Sequence, residues 1–130
     1  MNQEIVDSFN RQLDSLSADV SNHLDELCER PQSVREDIVT TLLKYACQSQ
    51  RISNITLARK ALSRIPRPCL SAVLEESIEK GVDLTDDWEY RRLLELLRDL
   101  NSDLVSTYVS RGLTSEDAEI REAAEDFRTD

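Results

Sequence analysis

Only two glycines, Gly81 and Gly112, occur in 130 residues. Tight hairpins need backbone at positive φ, which glycine supplies most readily. So few glycines argue against a many-stranded sandwich or barrel. They also exclude the glycine-rich loops that cradle phosphate in P-loop and Rossmann sites. An all-α chain remains, with Pro31, Pro66 and Pro68 as its punctuation. A length of 130 suits one domain, residues 1–130, with a single modest core.

Apolar residues recur at helical steps of three and four along the whole chain. Ile5, Phe9, Leu13, Leu16, Val20, Leu24 and Leu27 mark one long helix, or two with a break near Ser15–Ser17. Pro31 stops it, and Ser33 and Glu36 have the spacing of a capping box for the second helix. That helix carries Ile38, Val39, Leu42, Leu43 and Ala46 inside. A third starts near Asn54 and carries Ile55, Leu57, Ala58, Ala61, Leu62 and Ile65. The fourth comes after Pro66 and Pro68 with Leu70, Val73, Leu74 and Ile78. Asp86 and Glu89 open a fifth, lined by Tyr90, Leu93, Leu94, Leu97 and Leu100. Ser102 caps a sixth with Leu104, Val105, Tyr108 and Val109, and Ser115 a seventh with Ile120, Ala123, Ala124 and Phe127. Gly81 and Gly112 fall just past helix ends, where left-handed caps form. Every connection is short, as expected of antiparallel neighbours.

The chain also repeats itself. The pattern apolar–Arg–x–apolar–apolar runs through Tyr90-Arg91-x-Leu93-Leu94 and recurs 30 residues on as Ile120-Arg121-x-Ala123-Ala124. Ala58-Arg59-x-Ala61-Leu62 matches it 32 residues earlier, and the glycines lie 31 apart. A helical pair of that length cannot bury its apolar face alone, so copies stack. Asp117-Ala-Glu-Ile120-Arg121-Glu-Ala123-Ala124 resembles the start of a HEAT repeat helix, with an Asp in the turn before an Ile-Arg-x-x-Ala run. Pro-Gln-Ser-Val34-Arg35 is similar but lacks the turn Asp. The resemblance covers 82–127 well, 31–81 in part and 1–30 not at all. It implies a right-handed HEAT-like (armadillo-type) α-solenoid of about seven helices, with 1–30 as an N-terminal cap and 31–127 as repeats. It also implies a binding surface without chemistry, and structural roles for Arg59, Arg91 and Arg121. Asp86, Asp87 and Asp117 stand ready as partners for the last two.

No run of 18 apolar residues is present, so no membrane span is expected. The opening MNQEIVDSFNRQ lacks the basic and apolar regions of a signal peptide. Cys28, Cys47 and Cys69 lie 19 and 22 apart with no C-x-x-C. That spacing reads as reduced thiols in a cytoplasmic protein, packed as small core residues. His23 and Cys28, five apart, sit on different helix faces, so no metal site and no cofactor are expected.

Charge is segregated. Residues 1–32 carry net -5, residues 33–72 carry net +5 and residues 73–130 carry net -10. Lys44, Arg51, Arg59, Lys60, Arg64 and Arg67 make a basic band over 44–67. The stretch 75–89 gathers Glu75, Glu76, Glu79, Asp83, Asp86, Asp87 and Glu89 around the one tryptophan, Trp88. On a helical wheel Trp88 lies opposite the inner face of Tyr90, Leu93, Leu94 and Leu97. A tryptophan off the core face is either an interface anchor or folds back onto Val82–Leu84. These eight residues form the candidate protein-binding site.

A net charge of -10 repels phosphate, so nucleic acid is an unfavourable ligand for the molecule as a whole. An EF-hand loop needs Asp-x-Asp-x-Asp-Gly with a distal Glu, which Asp83–Glu89 lacks. With one histidine, no nucleophile–base pair is recognisable. The sequence therefore reads as a non-enzymatic binding module with a basic protein partner. An immunity- or antitoxin-type inhibitor of a bacterial kind heads the readings, by analogy with small acidic inhibitors of basic toxins. An adaptor or accessory subunit of a larger assembly comes next, and a HEAT-like enzyme acting on nucleic acid last.

Overall fold

Helix formation tracks the apolar periodicity along most of the chain. The structure is a computed structural model that describes residues 2–128. Among these residues the elements are all helical, and the packing falls into two compact units, residues 1–81 and 82–130.

The first unit begins with α1 (Gln3–Leu16), capped by Asn2, whose side-chain oxygen accepts from the Glu4 N–H at 2.7 Å. Helix α1 ends at Leu16, and Ser17 is extended, so the break expected near Ser15–Ser17 is present. Beyond the break the chain does not form a second α-helix. Asp19 turns left-handed at φ 58°, and it leads into two 3₁₀ turns, Val20–Asn22 and Leu24–Glu29. Side chains hold these turns: Asp14 accepts from the Ser21 N–H and hydroxyl at 2.9 and 3.0 Å, while Arg30 donates to Ser17 Oγ and the Ala18 carbonyl at 2.7 and 3.0 Å. Val20, Leu24 and Leu27 are fully buried all the same. The burial pattern was legible in sequence, and the local hydrogen bonding was not.

Helix α2 (Gln32–Gln48) is central to this unit. It packs against both α3 (Ile52–Arg64) and α4 (Arg67–Gly81), with α1 beside it. Ile38, Val39, Leu42, Leu43 and Ala46 are solvent-free, and each large aliphatic among them contributes about 2 kcal/mol through burial. The expected capping box does not form. Pro31 is the N-cap residue, which puts Ser33 inside the first turn, and Glu36 faces Lys80 of α4 at 3.7 Å. Pro68 lies in the first turn of α4, where a missing N–H costs no helix bond.

The second unit holds α5 (Asp87–Asp99), α6 (Leu104–Leu113) and α7 (Ala118–Phe127), each packed against the other two. Its core contains Tyr90, Leu93, Leu94, Leu96, Leu97, Tyr108, Ile120, Ala123 and Ala124. Ser102 does assist α6, accepting from the Leu104 N–H at 3.2 Å. Asp117, rather than Ser115, caps α7, accepting from the Glu119 and Ile120 N–H groups at 2.8 and 3.4 Å.

Neither glycine is a left-handed cap, because neither has positive φ. Gly81 is the last residue of α4, and an added Cβ would lie 3.0 Å from Thr40 Cγ2 and 3.2 Å from the Thr40 carbonyl oxygen. Gly112 lies inside α6, where the Tyr90 hydroxyl occupies the place of a Cβ and Ala124 Cβ would be 2.9 Å away. Both glycines serve close helix approach. The left-handed positions belong to Asp19 and to Asn101, φ 52°.

Candidate protein-interaction site

The turn entering α5 is built by its own acids. The Asp83 carboxylate accepts from the Thr85 N–H at 3.0 Å and from the Thr85 hydroxyl at 2.6 Å. These bonds favour the charged form and hold Asp83 below the usual carboxylate range. The Asp86 side chain caps α5, accepting from the N–H groups of Trp88 and Glu89 at 2.9 and 3.1 Å. Glu89 reaches back and accepts from the Asp83 N–H at 3.1 Å. Asp86 therefore caps α5 as its position suggests, while the Glu89 side chain binds the Asp83 N–H and the Asp86 N–H donates to the Asp83 carbonyl at 3.2 Å.

This network divides the candidate residues by task. Asp83, Asp86 and Glu89 are engaged in the turn. Trp88 is left on the outer side of the first turn with 67 % of its surface exposed. The alternative in which Trp88 folds back onto Val82–Leu84 does not hold, since a ring covered by that loop would not remain open to solvent. Asp87 faces α7, where it shares a hydrogen bond with Glu119. That contact, with Asp117 and Glu122 adding like charge, raises Glu119 above the ordinary glutamate range. Asp87, Asp117, Glu119 and Glu122 thus form one acidic surface on the second unit.

Glu75, Glu76 and Glu79 are exposed residues of α4, in the first unit. Glu76 pairs with Glu36 of α2, and the shared hydrogen bond raises Glu76 and lowers Glu36, while the Lys80 ammonium favours the charged form of both. The eight candidate residues therefore belong to two units, three on the first and five on the second. Sequence reasoning missed Glu119 and Glu122 because they lie more than 30 positions beyond Trp88.

The repeated arginines have partners other than those expected. Arg91 pairs with Asp126 at 2.8 Å, not with Asp86 or Asp87. Arg121 donates to the Ser115 carbonyl at 2.7 Å, not to Asp117. In both cases the turn acid is occupied by helix N–H groups or by a carboxyl neighbour. In the basic band, Arg64 donates to the Ser21 carbonyl at 3.2 Å and so ties α3 to the first 3₁₀ turn. Lys44 lines a shallow groove with Thr41, Tyr45, Gln48 and Ser49, and the Phe9 ring meets Tyr45 at a tilt of 59° with centroids 5.2 Å apart.

A second groove of about 360 Å³ runs between Val105, Val109 and Leu113 of α6 and Phe127 of α7. The Arg98 guanidinium covers Phe127 at 4.6 Å. Among the described residues, no group of three or more His, Cys, Asp or Glu side chains converges on a point where a metal ion would bind. No helix among them is long and apolar enough to cross a membrane. Comparison of the chain with protein-family models, curated proteins and solved structures gives no match.

Proposed function

We propose that this chain is a non-enzymatic helical-repeat module that binds a basic protein through the start of α5 and the adjoining start of α7. The observation that carries the reading is Trp88. A tryptophan with 67 % of its surface in water costs hydration free energy in the free protein, and it stands beside the Asp87–Glu119 carboxyl pair. Interfaces concentrate their energy on such aromatic anchors. A rim of like charge adds steering toward a partner of opposite sign. Asp83, Asp86 and Glu89 position this surface, while Trp88, Asp87, Glu119 and Glu122 make the contacts.

The HEAT-like solenoid reading draws support from packing within each unit. Helix α2 packs on both α3 and α4, and α5 on both α6 and α7, the neighbour and next-neighbour pattern of stacked helical pairs. The Asp caps of α5 and α7 lie 31 residues apart, close to the apolar repeat. Within the binding class, an immunity- or antitoxin-type inhibitor fits a small chain of net charge -10 whose exposed anchor sits among acids.

Trp88 is the only tryptophan, so its emission reports on the surface directly. A screen against basic proteins, and then titration with a tryptophan-free partner, should shift Trp88 emission to the blue as the ring leaves water. Trp88→Ala should weaken the complex by about tenfold or more, as expected for an interface anchor, with the thermal midpoint of the free protein unchanged. Full affinity in Trp88→Ala would remove the surface from the interface.

A further inference from the structure

Among the described residues, two large apolar side chains are more exposed than any other: Ile52 at 79 % and Trp88 at 67 %. Their electrostatic settings are opposite. Trp88 is flanked by Asp86, Asp87 and Glu89 on the second unit. Ile52 belongs to the first unit, in the stretch between Asp37 and Glu75 that holds no acid. Next to it in the chain is the groove of Thr41, Lys44, Tyr45, Gln48 and Ser49, about 380 Å³ in volume. Residues 41, 44, 45 and 48 follow the helical step along one side of α2. The groove is held in shape. Phe9 packs against Tyr45, and the Gln48 side chain donates to the Gly81 carbonyl at 2.9 Å. The Ser49 hydroxyl accepts from the Arg51 N–H at 3.0 Å, which fixes the chain as it passes from the groove to Ile52.

We propose that this groove takes the Trp88 surface of a second copy of the chain, so that copies join head to tail. The inference rests on the reading of Trp88 as an interface anchor, and adds that a second copy competes with any other basic partner for that ring. The chain itself carries the surface that answers the groove. Indole is the best aromatic acceptor for a cation, and Lys44 and Arg51, both exposed, bring cations to the groove. Tyr45 supplies an aromatic surface for the ring, and Ile52 gives it an apolar neighbour. The acids on either side of Trp88 then meet the basic band as opposite charge.

Charge also fixes which surfaces pair. Two Trp88 surfaces, or two grooves, would set like charges against each other, so the contact joins unlike patches. Such a heterologous contact leaves one Trp88 surface and one groove open at the ends, and it extends to a ring or a chain of copies. The net charge of -10 opposes the approach of whole copies, so assembly is driven by protein concentration.

Sedimentation of the full chain from micromolar to millimolar concentration should show a mass that rises with concentration, with Trp88 emission moving to the blue in step. Reductant is kept present because Cys28 is exposed, where the sequence suggests a core thiol, while Cys47 and Cys69 are buried. Trp88→Ala removes one half of the contact, and Lys44→Glu with Ile52→Asp removes the other. All three positions are exposed, so both variants should keep the thermal midpoint of the single copy. Each variant alone should associate about tenfold more weakly or less than that. Their equimolar mixture should form a dimer and stop there, since one variant keeps the groove and the other keeps the tryptophan. Only one species in that mixture carries a tryptophan, so a blue shift on mixing reports Trp88 entering the groove. A wild type that is monomeric over the whole range, a mixture no heavier than its parts, or a Trp88→Ala chain that associates like wild type would each overturn the proposal. If the wild type stays monomeric while a basic protein still shifts Trp88 emission, the second-copy contact fails and the anchor reading survives. If neither shifts the emission, both fail.

Discussion

Tyr90 and Gly112 define one interaction from two sides. The Tyr90 hydroxyl donates to the Tyr108 carbonyl at 2.6 Å in the core of the second unit. Burial pushes its ionisation up to about 12. The hydroxyl reaches that carbonyl only because α6 has no Cβ at Gly112. Gly112→Ala should cost about 1–3 kcal/mol, the usual range for forcing atoms into a packed core. Tyr90→Phe should cost about 1 kcal/mol through the lost hydrogen bond. Removing the hydroxyl also makes room, so Gly112→Ala should cost about 1 kcal/mol less in the Tyr90→Phe background. Denaturant unfolding of the four proteins measures that coupling, and strictly additive costs would show that the hydroxyl and the glycine are independent.

Helix ends decide where the sequence was readable. The sequence places the cap of α7 at Ser115, two residues too early, because Asp117, which the sequence offers as a partner for Arg121, accepts the first helix N–H groups instead. Asp86 also caps as its spacing suggests, yet α5 begins one residue earlier relative to its apolar face than α7 does. That single step is why Asp87 is free to meet Glu119 instead of serving as the cap. No pattern of apolar residues encodes such a shift, because cap position and core register are set by different contacts. The glycines misled for a related reason. A glycine near a helix end suits a left-handed cap, but it also suits close packing, and only the neighbouring helix separates the two. The end of α5 is closed by Asn101 in a Schellman arrangement, with the Ser102 N–H donating to the Leu97 carbonyl at 2.9 Å and the Asn101 N–H to the Arg98 carbonyl at 3.0 Å. Asn101→Gly should therefore match or exceed wild-type stability, while Asn101→Val should lose about 1–2 kcal/mol at this left-handed position. Thermal melts of the two variants distinguish this from a turn that tolerates any residue.

Charge acts on the whole molecule in two opposed ways. Residues 82–130 hold fourteen acids and six bases, net -8, while residues 1–81 hold twelve and ten, net -2. The segment totals were legible in sequence, but which carboxyls meet was not, because Asp87 and Glu119, or Glu36 and Glu76, become neighbours only through helix packing. In the free protein like charge around Glu119 raises its carboxyl, and the contact of Glu36 with Glu76 raises Glu76 while it lowers Glu36. The pH effect has a definite sign: a carboxyl raised in the folded state favours folding below its unfolded value and loses that contribution as pH rises past its folded value. At neutral pH Glu119 therefore opposes folding, whereas in the other pair the raised Glu76 is countered by the lowered Glu36, which the Lys80 ammonium favours in its charged form. Salt screens exposed charges over a Debye length of about 10 Å at 0.1 M. Added sodium chloride should then raise the thermal midpoint of the free chain at pH 7, and Glu119→Gln should reduce that gain. The proposed basic partner would meet the same carboxyls as attraction, so the same salt should weaken that complex and slow association. Melting of the free protein and calorimetry of the complex across one salt series give the two slopes. Slopes of opposite sign tie the acids of the second unit to both effects. A complex whose affinity ignores salt would leave Trp88 as an anchor without an electrostatic rim.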